Sequence, residues 1–249
     1  MSDRLAELIR DNQPCVVLTG AGVSTESGIP DFRSPTGMWA QFDPFEYATL
    51  GAFTADPEKV WRFYAPRFAM LAAAEPNRAH YALAELERLG LVQAVVTQNI
   101  DLLHERAGSR DVIEVHGSIR TSRCLACGAC YALEQVPALL EAGKGAPRCT
   151  QCSEVIKPDV VFFDELLPAQ AIDRAFELAE AARLLLVVGS SLEVYPVAEL
   201  PLVTLEHGGR VAVVNQGPTS IDGRATLRLS GSAGEILSET VAALTSRRP

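Results

Sequence analysis

The residues that could do chemistry in this 249-residue chain fall into two groups. The first is a series of polar residues that each follow a short apolar run. Thr19-Gly20-Ala21-Gly22 follows Cys15–Leu18, Gln98-Asn99-Ile100-Asp101 follows the run 91–97, His116-Gly117 follows Val112–Val115, and Gly189-Ser190-Ser191 follows Leu184–Val188. Such runs form strands buried on both faces, and polar groups at their carboxyl ends sit where open α/β sheets bind ligands. Gly20 and Gly22 allow a sharp turn and leave no side chain between the backbone and a phosphate. A helix starting near Ala21 or Ser24 would point free N–H groups at that phosphate. The third glycine of the usual dinucleotide fingerprint is missing, so this pair alone is also compatible with a plain tight turn. The segment Ser27–Arg33 is too rich in Gly, Pro and polar residues to continue a helix, and reads as an ordered loop carrying Asp31, Phe32 and Arg33. His80 and His104 fall in helical contexts and His207 near a helix end, where packing or surface roles are ordinary. His116 ends a strand among other polar strand ends, which is the position of a general base.

The second group is cysteine. Five of six cysteines lie between Cys124 and Cys152, and Cys124-x-x-Cys127 with Cys149-x-x-Cys152 forms two knuckles. Two such hairpins present four thiolates tetrahedrally, the closed arrangement of a structural zinc ion. With four protein ligands there is no open position, so this metal is not expected to activate water. Cys130 could compete as a ligand, although an uninvolved thiol is the plainer reading.

Positioning these groups requires alternating strands and helices. Leu5, Leu8 and Ile9 give a short N-terminal helix over 3–10, and helices are expected over 58–72, 79–89, 169–182, 197–206 and 233–244. Strands are expected at the four runs above, at Val160–Phe163 and at Val211–Val214, which ends in Asn215. Residues 34–57, with five prolines or glycines and several aromatics, read as an irregular loop, either a lid or a segment tacked to the core by its Phe residues. Fully apolar strands alternating with helices specify an α/β parallel sheet with helices on both faces, interrupted over 118–157 by the cysteine segment.

Hydrophobic content of 48% with 21% charged residues suits a substantial core. A net charge of −9 argues against specific nucleic-acid or anionic-membrane partners. No apolar run reaches the roughly 18 residues of a membrane span, and Ser2-Asp3-Arg4-Leu5 does not resemble a signal peptide, so a cytoplasmic location is expected.

Together, Thr19–Ser24, Gly28-Ile29-Pro30-Asp31-Phe32-Arg33, Thr97–Asp101, His116-Gly117, the two cysteine knuckles and Gly189-Ser190-Ser191 resemble the sirtuins, NAD-dependent protein-lysine deacylases, in order and spacing. Pro76–His80 and Leu103–Gly108 are similar to that family as well, and the likeness covers about residues 5–245. The resemblance implies a Rossmann-like NAD domain (1–35, 85–117 and 158–249), a cofactor-loop and helical insertion (36–84) and a zinc module (118–157). It also implies an acylated-lysine protein or peptide as substrate, bound in a cleft between NAD domain and zinc module. In such enzymes the acyl oxygen attacks the ribose carbon bearing nicotinamide, and His116 would be the base that deprotonates a ribose hydroxyl. Asn99 and Asp101 would hold the ribose and nicotinamide, with Ile100 lining that pocket and Gln98 beside them. Gly20, Ala21, Gly22 and Ser24 would cradle phosphate, and Asp31, Phe32 and Arg33 would close over the cofactor. Gly189, Ser190, Ser191, Asn215 and Ala233 would hold the adenosine half. Val160, Val161 and Phe162 on one side and Glu193-Val194 on the other match the edges between which the family adds its substrate as a strand.

Tyr64 and Arg67 resemble the Tyr-x-x-Arg of sirtuins that remove succinyl and malonyl groups, where a phenol and a guanidinium bind a distal carboxylate. Pro30–Ser34 looks more like the deacetylase branches, and Asp164 stands where the family usually has Gly, adding charge beside the peptide cleft. The expected function is removal of acetyl and acidic acyl groups from lysine. A mono-ADP-ribosyltransferase using the same site and a non-catalytic zinc-bearing NAD sensor are the alternatives.

Overall fold

A computed structural model of the chain describes residues 2–143 and 145–246. Met1 and 247–249, the outer ends expected for the NAD domain, and Lys144, expected in the zinc module, lie outside the described residues. The strands are β1 (Cys15–Thr19), β2 (Ala94–Thr97), β3 (Val112–Glu114), β4 (Gly117–Cys124), β5 (Cys130–Ala132), β6 (Ile156–Val160), β7 (Leu184–Val188), β8 (Arg210–Val214) and β9 (Leu227–Leu229). Six of them form a parallel sheet in the order β3-β2-β1-β7-β8-β9. The other three form an antiparallel sheet in the order β5-β4-β6, inserted in sequence between β3 and β7.

The parallel sheet follows from side-chain alternation on strands without a polar face. Every residue of β1 and β7 is buried. Cys15 and Val17 join one core with Leu5, Ile9, Leu83, Leu86 and Leu237, under the helices Ser2–Asp11, Arg78–Arg88 and Ala233–Ser246. Val16 and Leu18 point the other way, joining Leu178, Ala179, Leu200 and Val211 under the helices Ala169–Ala181 and Leu200–Glu206. A strand with both faces apolar is stable only between two helical layers. The chain winds from β1 to β2 and β3 on one side, then returns at β7 on the other. The order therefore reverses between β1 and β7, and a crevice opens beyond their carboxyl ends.

Two segments differ from expectation. Residues 34–57 contain three short helices, Met38–Gln41, Pro44–Tyr47 and Leu50–Ala55. The Asp43 and Thr49 side chains cap the second and third by accepting from the Phe45 and Ala52 amides. Helices of four to six residues are too short to show a period. Val160–Phe163 is not a strand: β6 runs over Ile156–Val160 and belongs to the antiparallel sheet. Beyond Val160 the Phe162 amide is taken by the Glu165 carboxylate and the Phe163 amide by the Ala48 carbonyl, so no ladder continues.

A third core joins the layers. Phe53, Trp61, Phe63, Tyr64 and Phe68 pack with Ile119, Val160 and Phe162. The Trp61 indole N–H donates to the Ile156 carbonyl at 2.8 Å, tying helix Pro57–Ala73 to β6.

Candidate active site

A cleft of about 1090 Å³ lies over the carboxyl ends of β1, β2, β7 and β8. Its lining includes Gly20, Ala21, Gly22, Asp31, Phe32, Arg33, Gln98, Asn99, Ile100 and His116. Gly189, Ser190, Ser191, Asn215 and Ala233 extend it across the sheet, and Tyr64, Val160, Val161, Phe162, Glu193 and Val194 line its other part. Ser24, Asp101 and Arg67 are not among the lining residues.

The glycine turn has a different physical basis from the one its sequence suggests. A Cβ on Gly22 would meet the Gly189 carbonyl oxygen at 2.8 Å and Gly189 Cα at 2.9 Å. The Gly22 amide donates to that carbonyl at 2.8 Å, and the Gly20 amide to Val188 at 3.2 Å. The missing side chains thus let the ends of β1 and β7 touch backbone to backbone and form one continuous floor. The following turn, Ala21–Ser27, is a 3₁₀ helix ending at Gly28 in the left-handed region.

His116 leaves β3 half-buried, with Nδ1 3.1 Å from the Gln98 carbonyl oxygen. A carbonyl can only accept, so Nδ1 carries the proton and the Nε2 lone pair is left to act as a base. Burial is the main force holding the imidazole below its ordinary value of 6.5; the nearby Arg33 charge adds to this and the Gln98 hydrogen bond opposes it. The ring is therefore neutral at pH 7. Gly117, at φ +71°, permits the turn into β4, since a Cβ there would lie 2.0 Å from the Asp159 carbonyl oxygen.

Beneath the floor lies a buried polar network that sequence patterns do not reveal. The Asn77 amide donates to His80 Nδ1 at 3.2 Å, so His80 Nε2 holds the proton and faces Ser24 Oγ at 3.4 Å. Asn99 Nδ2 also donates to Ser24 Oγ, at 3.1 Å, and Ser24 Oγ donates to Asp101 Oδ2 at 2.7 Å. Asp101 Oδ1 accepts from the Leu103 amide at 3.0 Å. Asn99 also reaches the Gly20 carbonyl at 3.2 Å, fixing the side chain that lines the cleft. Ser24 and Asp101 thus brace Asn99 from below. The His104 ring lies 4.9 Å from that of His80, with Nε2 2.9 Å from Thr19 Oγ1. Burial pushes His80 down to about 4 and His104 down to about 3.

The loop over the cleft is held at both ends. Phe32 stacks on Trp39 at 5.5 Å, the Ser34 amide donates to Asp31, and Arg33 pairs with Glu193 at 3.1 Å. Glu26, another lining residue, accepts from Ser232 Oγ and the Gly234 amide at the start of the helix carrying Ala233. Only the Ser232-x-x-Glu235 capping pattern hints at this junction in the sequence.

Tyr64 and Arg67 share the helix Pro57–Ala73. Tyr64 stacks on Phe162 at 5.7 Å, and burial raises its phenol. The Arg67 guanidinium lies 3.6 Å from the Phe63 ring centroid and hydrogen-bonds the Phe63 carbonyl. No carboxylate pairs with Arg67 among the described residues. Asp164 accepts from the Leu50 and Gly51 amides, so its charge caps the helix Leu50–Ala55.

The sulfurs of Cys124, Cys127, Cys149 and Cys152 lie within 4.8 Å of one another. The closest pairs are 3.4 and 3.5 Å apart, near the edges of about 3.8 Å in a tetrahedral zinc–thiolate centre. The Tyr131 hydroxyl donates to Cys149 at 3.2 Å and is the main cause holding that thiol down to about 6. Donor type and spacing fit one zinc ion. Cys130 is an exposed residue of β5 outside this quartet.

The Sir2 family matches residues 20–196. An "NAD-dependent protein deacylase 1" of Archaeoglobus fulgidus is 44% identical over 97% of each chain. An "NAD-dependent protein deacetylase" of Caldivirga maquilingensis is 47% identical over 94% of this chain and 90% of its own. Among solved structures, a mutant Sir2 homologue in complex with ADP-ribose has a TM-score of 0.92 at 42% identity, covering 99% of this chain and 97% of that one. A Sir2–p53 peptide–NAD+ complex has a TM-score of 0.89 at 41% identity over 97% and 98%. With a matching parallel sheet, a strand-end histidine and a four-cysteine centre, the chain belongs to the Sir2 family.

Proposed function

We propose that the protein is an NAD-dependent protein-lysine deacylase that removes acetyl and also succinyl and malonyl groups. The observation that carries the deacylase reading is His116: a neutral imidazole with Nδ1–H held by Gln98 and Nε2 available in the cleft. NAD, when bound, supplies a glycosidic bond whose carbon takes up the acyl oxygen as nicotinamide leaves. His116 Nε2 accepts the ribose hydroxyl proton, while Nδ1 keeps its own on the Gln98 carbonyl.

The cleft's polar set suits a dinucleotide: glycine backbone at Gly20 and Gly22, amides at Gln98 and Asn99, hydroxyls at Ser190 and Ser191, and Asn215 farther along. Asn99, braced by Ser24 and Asp101, orients the nicotinamide ribose. Ala21, Gly20 and Gly22 face the phosphates, with Ile100 beside the nicotinamide and Ala233 beside the adenosine. Asp31, Phe32 and Arg33 cover the cofactor. The peptide adds as a strand between Val160–Phe162 and Glu193–Val194, whose spacing from the base is set by the Val161 amide donating to the His116 carbonyl at 2.9 Å. Four thiolates leave the zinc ion closed, so it braces β4–β6 and takes no part in the chemistry. The same division assigns NAD binding to 1–35, 85–117 and 158–249, the covering insertion to 36–84 and metal binding to 118–157, in a cytoplasmic setting that keeps thiols reduced.

The acidic-acyl reading rests on Arg67, a partly buried guanidinium with no carboxylate partner among the described residues, next to the cleft-lining Tyr64. An incoming acyl carboxylate would supply that partner. Mass analysis of acetyl- and succinyl-lysine peptides incubated with NAD tests both parts. Nicotinamide and O-acyl-ADP-ribose in equal amounts support deacylation, whereas ADP-ribose label on protein without acyl loss supports mono-ADP-ribosyl transfer.

A further inference from the structure

Lys157 is a lysine only 5% exposed, beside the cleft wall. Its ammonium donates to the Pro158 carbonyl at 3.1 Å, the Val160 carbonyl at 2.9 Å and Glu165 Oε2 at 2.8 Å. An ammonium has three protons, and each meets an acceptor. The nitrogen also lies 4.2 Å from the Phe162 ring centroid. Glu165 Oε2 receives a second hydrogen bond, from the Phe162 amide at 2.8 Å, and the Glu165 amide returns one to the Phe162 carbonyl at 3.0 Å. Lys157 and Glu165 therefore clamp the stretch that carries Val160, Val161 and Phe162.

This clamp sits where regular pairing stops. β6 is an edge strand of the small sheet and ends at Val160, so the next residues have no ladder to hold them. Besides the packing of Phe162 against Tyr64 and Phe53, the hydrogen bonds that hold them among the described residues are the Val161 bond to His116, the Phe163 bond to Ala48, and those of the Lys157–Glu165 pair. We infer that Lys157 and Glu165 act together as positioning residues for the acyl-lysine substrate, holding the Val160–Phe162 backbone and the Phe162 ring at the height where an incoming peptide meets them. The inference rests on the deacylase reading. Removing the ammonium takes a donor from the Pro158 and Val160 carbonyls and leaves Glu165 with the Phe162 amide but no cation, so the wall rearranges and each peptide must order it on binding. That cost falls on peptide affinity. Among the described residues neither side chain hydrogen-bonds His116, which meets this stretch through the Val161 amide, or the Gly189–Ser191 and Asn215 side of the cleft.

Steady-state kinetics with acetyl-lysine peptide and NAD test the inference. Lys157→Met and Glu165→Ala should each raise KM for peptide by about tenfold or more, while kcat and KM for NAD change less than about threefold. The double variant should be no worse than the poorer single one, because the two residues form one unit. Should Lys157→Met fail to fold, Glu165→Gln decides: it keeps an acceptor for the Phe162 amide but weakens the ion pair, and KM for peptide should rise about threefold. The inference is overturned if KM for peptide stays at the wild-type value in the folded variants, or if KM for NAD rises in parallel. Wild-type protein that releases no nicotinamide would overturn the deacylase reading and this inference with it. Active wild type with unaltered variants removes only the inference.

Discussion

The tautomer of His116 follows from one contact. Because the Gln98 carbonyl cannot donate, Nδ1 holds the proton and Nε2 is the nitrogen free to serve as the proposed base, with burial holding the ring below its ordinary value. His116→Ala should lower kcat by about 10²–10⁴-fold while NAD still binds, as judged by calorimetry. If turnover persists, His116 is not the base; if binding is lost too, its role is structural. The active form is the unprotonated one, so kcat/KM should be flat above pH 7 and fall only as pH drops through a value below 6.5. His80 and His104 make a separate statement about stability. Held at about 4 and about 3, they stay neutral in the folded state while the unfolded chain takes up a proton at each below pH 6.5. The unfolded state then binds more protons, so stability must decline as pH falls, by about 1.4 kcal/mol per pH unit for each ring. Thermal melts at pH 7 and pH 5 check this, and an unchanged Tm would contradict it. Arg67→Met should reduce kcat/KM on succinyl-lysine peptide by about tenfold or more relative to acetyl-lysine peptide. Equal loss on both would remove the carboxylate role.

At the scale of elements, the cysteine centre and the parallel sheet perform different tasks. β4 starts at Gly117, directly after His116, and pairs with β6, so the small sheet fixes His116 relative to the Val160–Phe162 wall of the cleft. Cys152→Ser should lower zinc content, reduce Tm and abolish deacylation, measured by metal analysis, calorimetry and peptide assay. Full activity in metal-free protein would contradict a bracing role. Gly117→Ala should destabilise the protein by at least about 2 kcal/mol, because φ is positive and the added Cβ overlaps the Asp159 carbonyl. Urea unfolding measures it. Strands β1 and β7 were legible because runs of four and five consecutive buried apolar residues admit few other readings. The cysteine quartet was legible from spacing alone. β4 was not, since its burial alternates irregularly and a bulge breaks its pairing with β6. The Ser24–His80–Asp101 network was also hidden: its members come from three segments and no periodic signal links them. His80 and His104, for which the sequence leaves packing and surface roles both open, are buried, and their partners could not be read from one dimension. The sequence places the Asp164 charge beside the peptide cleft but gives no sign that its carboxylate also accepts from two helix amides, which keep it ionised.

For the whole molecule, the position of the cleft follows from topology. A parallel sheet that reverses winding between β1 and β7 must open there, and the contact of Gly22 with Gly189 makes the floor continuous. The small sheet and the aromatic core around Trp61 then supply the second wall. Among the described residues no helix is long and apolar enough to cross a membrane. Among the described residues His116 is the one histidine lining the cleft, and four cysteines would close a metal centre away from it, so the proposed chemistry depends on the co-substrate. The direct measurement is acyl loss from an acetyl-lysine peptide with and without NAD, with nicotinamide quantified in the same samples. The account predicts no loss without NAD and one nicotinamide released per lysine freed. Equal rates of acyl loss in the absence of NAD would contradict it.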